Sequence, residues 1–145
     1  MVEISDMQVI VRLVVSAVLS SMVGFEREIK GRAAGLRTHV LVGLSSCLLM
    51  IVSIKTATSF SLMGTADPGR IAAGVVTGVG ILCAGTVMRF GASVKGLTTA
   101  ASMWAVAALG LSVGLGYYTA SLSATVLILA TLLILSRLER VMTKK

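Results

Sequence analysis

Five apolar stretches of roughly 20 residues, divided by short polar connections, constrain this chain most, because about 20 apolar residues in a helix cross a hydrocarbon core of about 30 Å. The spans are placed near Met7 to Phe25, Thr38 to Ala57, Arg70 to Met88, Thr98 to Gly116 and Thr119 to Leu138. With 56% hydrophobic and 13% charged residues, the composition lies outside the soluble average. Aromatic residues reach only 4% against 15 glycines, which suits close-packed helices better than the aromatic-girdled strands of a barrel. The expected fold is therefore an all-α, polytopic membrane bundle of about five helices, a single transmembrane domain over residues 1–145. Glu3 and Asp6 stand where a secretory leader would be basic, so the first run is expected to remain as a span.

Orientation follows from Lys and Arg in the connections. Arg27, Lys30, Arg32 and Arg37 lie in the first, Arg89 and Lys95 in the third, and Arg137, Arg140, Lys144 and Lys145 in the tail. All three fall on one side, which places the N-terminus outside and the C-terminus inside. Trp104 then falls near the inner boundary, with Tyr117 and Tyr118 at the outer one.

The densest charge is in "GFEREIKGRAAGLRTH", residues 24–39. Its bases suit anionic headgroups at the inner face, each worth roughly 1 kcal/mol. Glu26 with Lys30, and Glu28 with Arg32, have the favourable i,i+4 order and would extend the first helix past the membrane, with Gly31 and Gly35 breaking it. Glu26, beside Phe25, is expected to be paired and shielded, and Thr38 is the expected N-cap of the second span. Whether the cluster is an anchor or a ligand site stays open at this level.

In "ADPGRIAAGVVTGVGILCAG", Asp67 caps the third helix and Pro68 suits its first turn, while Arg70 either snorkels or pairs with Asp67. Gly74 with Gly78, Gly80 with Ala84, and Gly110 with Gly114 set small residues four apart, so these faces are expected to touch neighbouring helices. "GLRTH" at residues 35–39 is echoed by "GLTTA" at residues 96–100, the pattern of a parallel repeat. No Asp or Glu falls well inside a span, so no midplane cation site is expected, and the metal question stays open. Arg12 is the one ionisable residue clearly inside a span and is expected to snorkel to the outer boundary. Cys47 and Cys83 read as packing residues. A single His, with no nucleophile–base pair and no phosphate loop, gives no support for an enzyme, a cofactor or a nucleic-acid partner.

"GFEREIKGRAAGLRTHVLVGL", "DPGRIAAGVVTGVGILCAG" and "GLTTAASMWAVAALGLSVGLGYY" resemble, in order, the signature segments of the bacterial MgtC/SapB membrane proteins. The resemblance implies an inner-membrane protein linked to magnesium limitation, acid stress and survival in macrophages. For some members it also implies an inhibitory contact with the F-type ATP synthase. Glu26, Arg27, Glu28, Arg32, Gly35, Arg37, Thr38, Asp67, Arg70 and Trp104 match the family's polar and aromatic pattern. Many members carry a cytoplasmic regulatory domain after the last span, whereas this sequence stops at "RVMTKK" and is expected to lack one. Two functions are carried forward: a non-enzymatic regulator docking helix to helix on a partner, and a transporter or channel for magnesium or an anion. Homo-oligomerisation is open in both.

Overall fold

Ser5 starts the first helix with a capping box: its hydroxyl accepts from the Gln8 N–H at 3.4 Å, and the Gln8 side chain accepts from the Ser5 N–H at 3.3 Å. The computed structural model describes residues 4–59, 67–91 and 93–138. Among these, α1 runs Asp6–Ile29, α2 Leu36–Ser59, α3 Gly69–Ala84, α4 Leu97–Leu115 and α5 Tyr118–Ala130, continued by a π-helical turn at Thr131–Leu135, with a short β1–β2 hairpin, Met88–Phe90 and Ser93–Lys95, between α3 and α4. Glu3, most of the α2–α3 connection, and the tail bases Arg140, Lys144 and Lys145 lie outside the described residues.

Helix α1 extends past Phe25 to Ile29, as its charge order predicts, and ends at Lys30 before Gly31, whose φ of 60° is the left-handed conformation that stops a helix. Thr38 is not the N-cap of α2, because that helix starts two residues earlier, at Leu36. The cap comes from α1 instead: Glu28 Oε2 accepts the Leu36 N–H at 2.9 Å and sets a carboxylate at the positive end of the α2 dipole. At α3 the Asp67 carboxylate accepts the Gly69 N–H at 2.8 Å, while Pro68 itself occupies the cap position.

The third apolar run is shorter as a helix than as a sequence. It ends at Ala84, and Met88 lies in β1, which pairs antiparallel with β2 in the register Met88↔Lys95, Arg89↔Val94 and Phe90↔Ser93. Gly85, Thr86 and β-branched Val87 are poor helix formers. Gly96, at φ 93°, closes the hairpin where a Cβ would lie 2.0 Å from the Thr86 carbonyl oxygen. The 16 residues of α3 rise about 24 Å, less than the hydrocarbon thickness. Among the described residues, four helices therefore have the length and apolarity to cross a membrane: α1, α2, α4 and the continuous helix Tyr118–Leu138 that contains α5.

Helices α2 and α4 lie side by side and parallel, with His39 against Ser102 near one end and Met50 against Gly114 towards the other. Helix α1 packs on both, α3 lies against α2 and α4, and α5 lies against α4 and α1. The packing is inverted relative to a water-soluble bundle. Along α1, Ile10, Val14, Val18, Met22, Phe25 and Ile29 are exposed, while Arg12, Ser16, Ser20, Glu26 and Arg27 are buried. A hydrocarbon surround explains this, since it accepts apolar side chains and penalises unpaired polar ones. The chain is a multi-pass membrane protein, with five helices among the described residues.

Glycine spacing is sound for α4 and misleading for α3. A Cβ on Gly110 would lie 2.3 Å from the Gly43 carbonyl oxygen, and one on Gly114 would lie 2.6 Å from Met50 Cβ, so these positions admit the α2 backbone. At Gly74, Gly78 and Gly80 a Cβ would meet nothing within 4 Å, which corrects the expectation that they touch another helix of this chain. Helix α3 turns Val75 and Cys83 inward instead. Arg12 also departs from expectation: it does not snorkel but turns inward, 8% exposed, where Nη1 donates to the Gly114 carbonyl at 2.6 Å. That carbonyl belongs to the last turn of α4, the negative end of its dipole.

Gly110→Ala should lower the midpoint of thermal unfolding in detergent by an amount equivalent to about 1–3 kcal/mol, the range for overpacking. Gly74→Ala and Gly78→Ala should not lower it and should raise it by the equivalent of up to about 1 kcal/mol, and equal losses at all three positions would contradict this packing.

Candidate functional site

The end of α1 carries the charge that the rest of the site answers. Because Glu26 and Arg27 are adjacent in a helix, 100° apart, both turn inward only where neighbours crowd two sides, as α2 and α5 do here. Arg27 is 2% exposed and Glu26 is 8% exposed. Glu26 Oε2 accepts from the Arg27 guanidinium, and Oε1 lies 2.6 Å from Lys30 Nζ, the expected i,i+4 pair. One buried carboxylate thus holds two cations. Glu28 has no ion pair with Arg32 among the described residues, since its carboxylate is spent on α2.

Lys30 reaches on to the helical segment that continues α5. Its Nζ donates to the Leu132 carbonyl at 3.2 Å and to Ser136 Oγ at 2.9 Å. Thr131–Leu135 form a π-helical turn, whose i→i+5 pattern pulls carbonyls out of the ordinary ladder and leaves Leu132 open to a further donor. The cluster on α1 is therefore tied to the last helix through an irregular turn of a kind common at functional sites.

His39 joins α2 to α4 and is fully buried. Its Nδ1 lies 2.8 Å from the Gly35 carbonyl, which can only accept, so Nδ1 carries a proton. Its Nε2 lies 3.0 Å from Ser102 Oγ, and that hydroxyl also lies 2.8 Å from the Thr99 carbonyl. In neutral His39, Nε2 competes with Thr99 for the Ser102 proton; in the imidazolium, Nε2 donates and the hydroxyl serves Thr99 alone. A buried polar seam continues from here through Ser46, Ser20 and Ser16, whose hydroxyl donates to the Gly43 carbonyl at 2.9 Å, up to Arg12.

Of the residues singled out from sequence, Glu26 and Arg27 meet in this cluster, while Glu28 caps α2 beside it. Arg32 and Arg37 are exposed at the same end, and Thr38 is half-buried in the first turn of α2. Asp67 and Arg70 lie at the opposite end, where Arg70 is exposed and has no ion pair with Asp67 among the described residues. Trp104 is half-exposed, about 10 Å along α4 from its first residue. Sequence reasoning passed over His39, Thr99 and Ser102. The signal was there, since "GLRTH" and "GLTTA" put polar groups at the starts of two helices running the same way. Among the described residues no three His, Cys, Asp or Glu side chains come together to hold a metal ion.

Comparison with known proteins agrees with this architecture. The model of the MgtC family matches residues 13–141. Escherichia coli K12 "Putative magnesium transporter YhiD" is 42% identical over 139 residues, covering 93% of this chain and 64% of that protein. Salmonella typhimurium LT2 protein MgtC is 39% identical over 126 residues, covering 87% of this chain and 52% of that protein. The chain thus spans between half and two thirds of the length of these relatives. No solved structure matches it. A lipid-facing exterior around a buried charged seam, with a family match running almost from end to end, shows that the chain belongs to the MgtC family.

Proposed function

We propose that the chain is a non-enzymatic membrane regulator, active when magnesium is scarce, that works by helix-to-helix contact with a partner in the bacterial inner membrane. The observation that carries this reading is the closed interior: Ser16, Ser20, Val23, Arg27, His39, Ser46, Val106 and Val113 are all at most 2% exposed along the length of the bundle. A seam packed in this way, with Arg12 and Arg27 buried in it, repels a divalent cation and, among the described residues, offers it no path. What the protein does, it does through its outer faces. The link to magnesium rests on the names of the relatives. The proposed partner, a membrane subunit of the F-type ATP synthase, rests on the family resemblance. The name of the YhiD relative favours a second reading, magnesium transport.

In this reading Glu26 sets how the basic ends of α1 and α5 sit, and the exposed faces of those helices carry the contact. The proposed orientation, with the basic end in the cytoplasm, is checked by reporters at the two termini: the N-terminal one should be active only outside and the C-terminal one only inside. An N-terminal reporter active in the cytoplasm would reverse the orientation.

Glu26→Gln should remove complementation of a deletion strain under magnesium limitation while the protein still inserts, because insertion follows the apolar spans and the bases. Breaking a buried pair costs about 3–5 kcal/mol, so stability is measured alongside. The double variant Glu26→Gln with Arg27→Met removes the buried pair as a unit, keeps the net charge of the cluster and should recover stability without recovering function. Full rescue by Glu26→Gln at normal membrane abundance would reduce the cluster to an anchor.

A further inference from the structure

We propose that the groove between α2 and α3 binds one phospholipid with an anionic headgroup, its acyl chain in the groove and its phosphate on Arg37. The groove has a volume of about 590 Å³ and is walled by Leu41 and Leu49 of α2 and by Ile71 and Leu82 of α3, with Gly74 and Gly78 between them. The two glycines make it: a Cβ at either would meet nothing within 4 Å, so the missing side chains are the space itself. From Ile71 to Leu82 the helix rises about 16 Å, close to half of a hydrocarbon core of about 30 Å, which is the depth of one leaflet. An empty apolar groove forfeits dispersion contacts on one side, so hydrocarbon fills it.

The end of the groove at Leu41 selects among lipids. Helices α2 and α3 run antiparallel, tied at the far end by Ser53 Oγ donating to the Pro68 carbonyl at 2.6 Å. The Leu41–Leu82 end is therefore the basic end of the bundle. Arg37 precedes Leu41 by one turn on the same face of α2, and side chains on a helix lean towards its N-terminus, here towards the headgroups. Arg37 is exposed and, among the described residues, has no ion-pair partner. The guanidinium fork fits a phosphate bidentately.

A helix from a second copy would fill the walls but leave this charge unanswered. At that end the copy would offer Glu26, which is ion-paired, and Glu28, which is engaged in capping α2. Charge complementarity favours the lipid.

The test reconstitutes the full chain in nanodiscs of phosphatidylcholine with a minor fraction of phosphatidylglycerol, extracts it in mild detergent and quantifies retained lipid by mass spectrometry. Phosphatidylglycerol should be enriched about tenfold over its share of the nanodisc, the effect of one charge-assisted contact. Arg37→Gln should return the ratio to that of the nanodisc while lipid is still retained, and Gly78→Leu, which fills the groove, should lower retention of both lipids. No enrichment in the wild type, enrichment that survives both substitutions, or a lipid-free dimer would each overturn the proposal.

Discussion

Arg27 is 2% exposed at the basic end of α1, cut off from water, and its charge must therefore be answered from within the chain. Glu26 answers it, and the rest of the basic end is arranged around that fact. The carboxylate draws in Lys30, Lys30 reaches the π-helical turn that continues α5, and Glu28, two residues after Glu26, is left to cap α2. With α2 started at Leu36, His39 comes to face Ser102, and the two central helices are held in parallel register. At the other end the same constraint has a different solution. Arg12 has no carboxylate beside it among the described residues and is met by the carbonyl end of α4, where the helix dipole supplies partial negative charge.

Much of this was legible in the sequence, for reasons that differ from element to element. Four of the five spans follow from apolar length alone, because lipid filters by length and polarity and leaves few alternatives. The pairing of Glu26 with Lys30 follows from i,i+4 geometry, which needs no tertiary information. What failed needed knowledge of the neighbour. Thr38 has the chemistry of a cap, but the capping oxygen comes from Glu28, eight residues before the N–H it accepts. Gly74 and Gly110 sit in the same small-residue pattern, yet only Gly110 has a backbone against it, since the spacing says that a helix can be approached and not which helix approaches. Arg12 lies close enough to a membrane boundary to snorkel, and only the position of the α4 carboxyl end shows why it turns inward.

The inverted packing also bears on function. Proteins that move ions across a bilayer need a wet or wettable route, whereas here most of the buried polar groups described in α1, α2 and α4 bond within the bundle, with Ser20 Oγ and Arg12 Nε as exceptions. Ser16 serves Gly43, His39 is held between Gly35 and Ser102, and Arg27 is closed by Glu26. Such a seam specifies which helix faces which, at a cost that apolar packing would avoid, and this suits a protein whose outer surface must present a fixed shape.

If the interior is a strut and not a path, magnesium does not cross it, and this is read as magnesium flux into liposomes containing only the purified chain, followed with an entrapped magnesium-sensitive dye. Flux should be no faster than in protein-free liposomes, at neutral and acidic pH alike. Saturable flux that scales with the amount of protein and is altered by Glu26→Gln would contradict it and establish the seam as a conduit.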